Sequence, residues 1–162
     1  MTVDLAPPDF DRWAALHRLL SDAFAYMDER IDPPSSMHRL DVAAVAAKAA
    51  EEELLLAREE DMLVGCAFLR PVDETFYLGK LAVLPARRGG GIGRALVRRA
   101  QGLAAERAVE AIELQVRVEL VENRRFFEAL GFRKTGESAH AGYSRPTSIT
   151  MRSVIPRHAS LA

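Results

Sequence analysis

Cysteine is almost missing from this 162-residue chain: Cys66 stands alone, so neither an intramolecular disulfide nor a cysteine zinc cluster can form. Long apolar runs are missing as well, and none approaches the roughly 18 residues of a membrane-spanning helix. The opening Met1, Thr2, Val3, Asp4 and Leu5 provide neither the basic nor the apolar segment of a secretory leader. The expectation is a cytoplasmic protein with no membrane association. There is no surplus of charge: 22 Lys and Arg against 23 Asp and Glu leave a formal net charge of −1. That excludes the global positive field on which non-specific binding to nucleic acid depends, so any anion must be held locally. The histidines, at 17, 38, 140 and 158, have no ligand spacing, and no metal site is expected. Repeats and low-complexity tracts are absent, and 49% hydrophobic residues are enough for a core. One domain over residues 1–156 is expected, with a frayed tail at 157–162.

Periodicity supplies the elements. After Pro7 and Pro8, Asp9 is placed to cap a helix carrying Trp13, Leu16, Leu20, Phe24 and Met27 along one face. Residues 28–36 contain Pro33 and Pro34, which stop that helix and make a loop. Asp41 is placed to cap an alanine-rich helix to about residue 52. Residues 54–57 and 62–69 read as two strands of a hairpin around Glu59, Glu60 and Asp61. A connection over 71–74 leads to a longer strand at 76–84, closed by Pro85. Ile92, Leu96, Ala100, Leu103 and Ala104 mark the buried face of the next helix, and a strand at 111–118 completes a βαβ unit. A short helix over 122–130 ends at Gly131, and strands at 132–137 and 148–155 follow with a loop at 138–146 between them. The pattern predicts an α/β fold with a mixed sheet.

The chemistry concentrates between the longer strand and its helix. Gly89, Gly90, Gly91 and Gly93 are expected to let the main chain take positive φ and approach a ligand without Cβ clashes. The first amides of the helix face outward there, the helix dipole is positive at that end, and Arg87, Arg88 and Arg94 add full charges. A phosphate-bearing ligand is the expected occupant. It is not a nucleotide hydrolase loop, because Gly93 is followed by Arg94-Ala95 where Lys-Ser/Thr is required. The dinucleotide fingerprint fails too, since Arg94 and Leu96 stand where its third glycine belongs.

The run Arg88-Gly89-Gly90-Gly91-Ile92-Gly93 resembles the pyrophosphate loop Q/R-x-x-G-x-G/A of the GNAT superfamily, the general-control-type N-acetyltransferases. Leu81-Ala82-Val83-Leu84-Pro85 is similar to that family's strand and exit proline. Asn123 to Phe132 resembles its later N-x-x-[F/L]-[Y/F]-x-x-x-G-F segment. The resemblance implies a GNAT-like domain with a central mixed sheet of about six to seven strands, helices on both faces, and two splayed parallel strands forming an acetyl-CoA cleft. It implies that the main chain of Leu81, Ala82 and Val83 holds the pantetheine and acetyl groups. The amides of Arg88, Gly89, Gly90, Gly91, Ile92, Gly93 and Arg94 would hold the pyrophosphate, and Asn123 and Phe127 would flank the far side. The implied activity is acetyl-CoA-dependent acylation by direct attack of a primary amine on the thioester, with no metal.

Two positions depart from the family pattern. Many members place a proton-donating tyrosine in the later helix, where this chain has Phe126-Phe127. Members that use a carboxylate base often carry Glu on the strand before the glycine loop, where this chain has Tyr77, with Glu74 just upstream. Tyr143 and Tyr77 are therefore the candidate proton donors or relays, Tyr143 being expected to matter more. Arg30, Ser35, Ser36 and Arg39, near the proline loop, together with Glu74, are the candidate acceptor-binding residues. The expected acceptor is a small-molecule amine rather than a peptide N-terminus or lysine. The assembly is left open, a homodimer included, and the rival reading is a non-catalytic acyl-CoA-binding or sensor module. Cys66, on an apolar strand with no activating neighbour, reads as a core thiol.

Overall fold

Residues 54–57 are apolar without interruption, and the fold buries both sides of them. Leu55 and Ala57 join one core cluster, while Leu54 and Leu56 join another across the sheet. A strand covered on both faces reads as a continuous apolar run rather than an alternation. The computed structural model describes residues 1–156, and the expected tail at 157–162 lies outside them. The strands are β1 (Thr2–Leu5), β2 (Glu53–Glu59), β3 (Met62–Val72), β4 (Thr75–Val83), β5 (Ala111–Arg117), β6 (Arg133–Ser138) and β7 (Ser148–Val154). They form one sheet in the order β1-β2-β3-β4-β5-β7-β6. Only β4 and β5 run parallel; the other neighbours are antiparallel.

Helices α1 (Trp13–Phe24) and α2 (Val42–Glu51) cover the face that carries Leu54, Leu56, Cys66 and Phe68. Helices α3 (Ile92–Glu106) and α4 (Val121–Ala129) cover the opposite face, where Leu96, Ala100, Leu103 and Phe127 pack on Leu55, Ala67, Leu69 and Ile112. The α/β architecture with helices on both faces is as the sequence predicts. Asp41 caps α2 as expected, accepting the Ala44 amide at 2.8 Å.

Four boundaries differ. Helix α1 begins at Trp13 with Arg12 at its N-cap and no side-chain cap, so Asp9 does not start it. Instead the Phe10 amide closes a turn on the Pro7 carbonyl at 3.0 Å, and the Phe10 ring meets Trp13 edge-on at 4.9 Å. Met27 lies beyond α1 in a 3₁₀ turn, Ala25–Met27, and a second such turn, Ser36–Arg39, follows the proline loop. Residues 1–5, read only for leader signals, hold β1, which pairs Val3 with Ala57 at the edge of the sheet. Strand β3 runs on through Pro71 to Val72, so the turn to β4 is shorter than 71–74 and carries Asp73 at φ 52°.

Helix α3 contains one glycine that does no structural work. Gly102 is exposed, and a Cβ built there meets nothing within 4 Å. Gly102→Ala removes backbone freedom from the unfolded chain and is expected to raise stability by about 0.5–1 kcal/mol. Urea unfolding measures it, and an unchanged midpoint contradicts it.

Strand β4 carries the irregularity on which the site depends. Cys66 pairs with Ala82 but Phe68 pairs with Gly79, so β4 has one residue more than β3 in between. This is a bulge, and Lys80 within it takes φ 50°, in the left-handed region. On its other side β4 pairs with β5 only over Thr75, Phe76 and Tyr77. Beyond Tyr77 the two parallel strands part.

Candidate active site

The parting of β4 and β5 leaves a cavity of about 1090 Å³ bounded by residues 78–83 of one strand and 114–117 of the other. The β4 edge that faces it has no strand partner past Tyr77. An extended ligand could pair with this edge as an added strand does.

The glycine loop closes one end. Gly89 (φ 81°) and Gly91 (φ 84°) occupy left-handed conformations. Gly90 and Gly93 do not, which corrects the expectation that all four glycines take positive φ. Gly91 is the N-cap of α3 and offers no side chain to the helix end. The first bond of the ladder runs from the Ala95 amide to the Gly91 carbonyl at 3.0 Å, so the amides of Ile92, Gly93 and Arg94 precede it. Space around Gly89 and Gly91 is open, since a Cβ built at either meets nothing within 4 Å. At Gly93, by contrast, a Cβ lies 3.4 Å from Phe126 Cζ and 3.6 Å from Val83 Cγ2. The helix is held in place by Gly65, where a Cβ would come within 2.9 Å of Ile92 Cγ2 and 3.0 Å of Leu96 Cδ1. Open amides at the positive end of a long helix make an anion site, and the residues present fit a pyrophosphate.

The arginines around the loop are not equivalent. Arg87 Nε donates to Glu59 Oε2 at 3.1 Å. Arg88 donates to the Ala23 carbonyl at 2.7 Å and stacks its guanidinium 4.4 Å from the Tyr26 ring. Arg94 is exposed and lies on the cavity wall.

Of the cofactor-binding candidates, Leu81, Ala82, Val83, Arg88, Gly89, Gly91, Ile92, Gly93, Arg94, Asn123 and Phe127 line this cavity, and Gly90 is not among them. Arg30, Ser35, Ser36, Arg39 and Tyr77 line it also. Glu74 and Tyr143 are not brought to it. Glu74 sits at the β3–β4 turn, where its carbonyl accepts the Glu110 amide at 2.8 Å. Tyr143 donates its hydroxyl proton to Asp32 Oδ1, and this bond raises its pKa above the ordinary phenol value. Tyr77 lies at the point where β4 and β5 part, its ring 5.2 Å from the Arg70 guanidinium. Burial raises its pKa, so it keeps its proton near neutrality. Cys66 is fully buried, its thiol pushed up to about 12 by that burial, as befits a core residue.

Several wall residues escaped the sequence reading. Tyr26 stands between Arg88 and Asn123, whose Nδ2 donates to its hydroxyl at 3.5 Å. Lys80 donates to Ser36 Oγ at 2.5 Å and lies 5.6 Å from the Phe24 ring centroid. Arg117, at the end of β5, donates to the carbonyls of Pro33 and Pro34 at 2.7 and 3.1 Å, pinning the proline loop over the cleft. Arg30 grips Glu122 with both terminal nitrogens, and Ser35 is spent on capping the Met37 amide at 3.1 Å. A positive φ at a lysine and a side chain reaching back from β5 leave no periodic trace in sequence.

Among the described residues no group of three or more His, Cys, Asp or Glu side chains gathers to hold a metal ion. No described helix is long and apolar enough to cross a membrane.

A seven-stranded sheet opened at its one parallel pair, with a glycine-rich helix start at the mouth, defines an acyl-CoA-transferase type of fold. The family model of the acetyltransferase (GNAT) family matches residues 13–132, and the chain belongs to that family. No curated protein matches the sequence. Among solved structures, the aminoglycoside 6′-N-acetyltransferase complexed with coenzyme A is similar at 21% identity and a TM-score of 0.76, over 97% of this chain and 99% of that one. The PaiA N-acetyltransferase of Thermoplasma acidophilum in complex with coenzyme A is similar at 13% identity and TM-score 0.78, over 95% and 99%. The ribosomal-protein-S18-alanine N-acetyltransferase of Escherichia coli is similar at 17% identity and TM-score 0.72, over 99% and 97%. At these identities the likeness is one of fold.

Proposed function

We propose that this protein is a cytoplasmic N-acetyltransferase that moves the acetyl group of acetyl-CoA onto a primary amine of a small molecule. The observation that carries the reading is the continuity of the unpaired β4 edge with the open amides of α3 in one cavity. Acetyl-CoA as co-substrate fits both the family and the cleft, and two of the similar structures contain coenzyme A. It supplies an already activated thioester. The main chain of Leu81, Ala82 and Val83 would hold the pantetheine arm, the amides from Gly91 to Arg94 the pyrophosphate, and Asn123 and Phe127 the far side. The protein's own task is then to bring a neutral amine against the thioester and to exclude water, which positioning and amide donors can accomplish.

The phenylalanine pair of α4 keeps the sensor reading in view, because Phe126 and Phe127 have no proton to give. The two readings differ in one measurement. Calorimetry with acetyl-CoA is expected to show binding in the micromolar range typical of enzyme substrates. A thiol-release screen of primary amines is expected to find turnover, whereas binding without release by any amine supports the sensor. Absence of binding overturns both.

A further inference from the structure

The acetyl-CoA reading accounts for one end of the cavity and leaves the other end with unanswered charge. The whole chain is balanced at −1, yet among the described residues Glu122 is the only carboxylate residue on the cavity wall, and Arg30 holds it. Against it stand basic side chains at both ends of the cleft. Arg87, Arg88 and Arg94 line it at the glycine loop, where the pyrophosphate would lie. Lys80 is separated from that loop by the end of β4, residues 81–83, about 10 Å of extended chain, and by the turn over residues 84–87.

Four cations meet at the Lys80 end, namely Lys80, Arg39, Arg117 and Lys48, the last of them held by Glu52. The bulge turns Lys80 away from strand alternation, at the cost of a left-handed backbone that a lysine seldom adopts. Its ammonium finds the Ser36 hydroxyl and the Phe24 ring but, among the described residues, no carboxylate. Arg39, exposed on the 3₁₀ turn Ser36–Arg39, makes no ion pair among the described residues. Arg117 spends its hydrogen bonds on the neutral carbonyls of Pro33 and Pro34.

The carboxylates nearby are bound elsewhere. Glu52 holds Lys48, Asp28 holds His38, and Asp32 takes Tyr143 and Arg145. Glu119 accepts the Asp32 amide through Oε2, while its buried Oε1 has no hydrogen-bond partner and feels Arg117 only through space. Burial first, and then the neighbouring cations Lys48, Arg39 and Arg117, lower the Lys80 pKa to about 8, while Arg117 has Glu119 and Asp32 as counter-charges through space.

We propose that the amine acceptor carries an anionic group, a carboxylate or a phosphate, and that Lys80, with Arg39 and Arg117, receives it. The inference rests on the acetyltransferase reading and narrows its substrate class. Lys80 adjoins the segment 81–83 against which the thioester would lie, so the anion sits a short spacer from the nucleophilic nitrogen. The same positive field disfavours protonation of the incoming amine, and the neutral form is the one that attacks. A polycationic acceptor is rejected by this wall.

The test uses two matched pairs of probes, β-alanine against β-alaninamide and phosphoethanolamine against ethanolamine, with spermidine as a polycation. Binding to the CoA-loaded protein is read by calorimetry, and turnover by thiol release from acetyl-CoA. The anionic member of at least one pair is expected to bind at least tenfold more tightly than its neutral partner, and spermidine weakest. Which pair responds tells carboxylate from phosphate. Lys80→Gln, and separately the surface variant Arg39→Gln, is expected to reduce that preference several-fold without weakening CoA binding. Equal binding of both members in both pairs, no binding by any, or a loss of CoA affinity in Lys80→Gln overturns the inference. Binding of the anionic probe with no thiol release from any amine instead overturns the acetyltransferase reading and leaves the anion site standing.

Discussion

Gly91→Val is expected to weaken CoA binding by at least about 100-fold, more than any single arginine change at the same loop. Gly91 holds φ 84°, a conformation that costs a side-chain-bearing residue about 1–2 kcal/mol and a β-branched residue the most. Nothing fills the space beside it, so the strain is conformational rather than a collision. Relaxing it turns the first peptide planes of α3 and misaims the amides of Ile92, Gly93 and Arg94. Hydrogen bonds to a charged group are worth about 1.5–3 kcal/mol each, so losing two of them already exceeds a 100-fold change. Arg88→Ala is expected to cost about tenfold or less, because its guanidinium is engaged by the Ala23 carbonyl and the Tyr26 ring. Gly93→Val reaches a similar loss by another route, wedging its branches between Phe126 and Val83. Calorimetry on folded variants, checked by circular dichroism, measures all three. Wild-type affinity in Gly91→Val would show that the loop is only a packing turn.

The cofactor end of this site was legible because its chemistry is local. A glycine loop, its flanking arginines and the strand before it lie within residues 81–94, and consecutive residues report on one another. The mixed sheet, its parallel βαβ pair and the helices on both faces followed from apolar patterning and the family likeness, whereas the strand order came only with the structure. Strand β1 was not legible, since four residues carry too little periodicity to separate an edge strand from a tail. The start of α1 was misplaced because Asp9 offers a cap chemically, while packing of Phe10 on Trp13 decides the entry. The acceptor end was legible least. It is assembled from Arg30, the stretch Pro33 to Ser36, Arg39, Tyr77, Lys80, Arg117 and His140, which only the folded chain brings together. Arg30, Ser35, Ser36 and Arg39 were found through the proline loop. Lys80 and Arg117 were not found, because a bulge and an arginine reaching across to carbonyls leave no motif.

Tyr77→Phe is expected to lower kcat on the order of 10²-fold with little change in CoA affinity, while Tyr143→Phe stays within a few-fold of wild type. This reverses the order expected from sequence, in which Tyr143 lies in a loop free to fold over the acceptor. Tyr143 has already committed its proton to Asp32, which strengthens its hold on that proton and keeps it off the cavity wall. Tyr77 instead lines the cavity at the last paired residue before β4 and β5 separate, close to where acyl transfer would occur. Burial keeps its hydroxyl protonated well above neutral pH, so it serves as a donor or relay and not as a base. Because Phe126 and Phe127 offer no proton from α4, a donor on the opposite wall is the remaining side-chain route, with Tyr26 as the internal comparison. Tyr26→Phe removes a hydroxyl that Asn123 meets only at 3.5 Å, and its expected effect is on cofactor affinity rather than kcat. The three variants, assayed with one identified amine, separate these roles by kcat against Kd. A kcat within a few-fold of wild type for Tyr77→Phe would leave thiolate release unaided, a course that a thiol pKa near 8–9 permits, and rate would then rest on positioning of the amine alone.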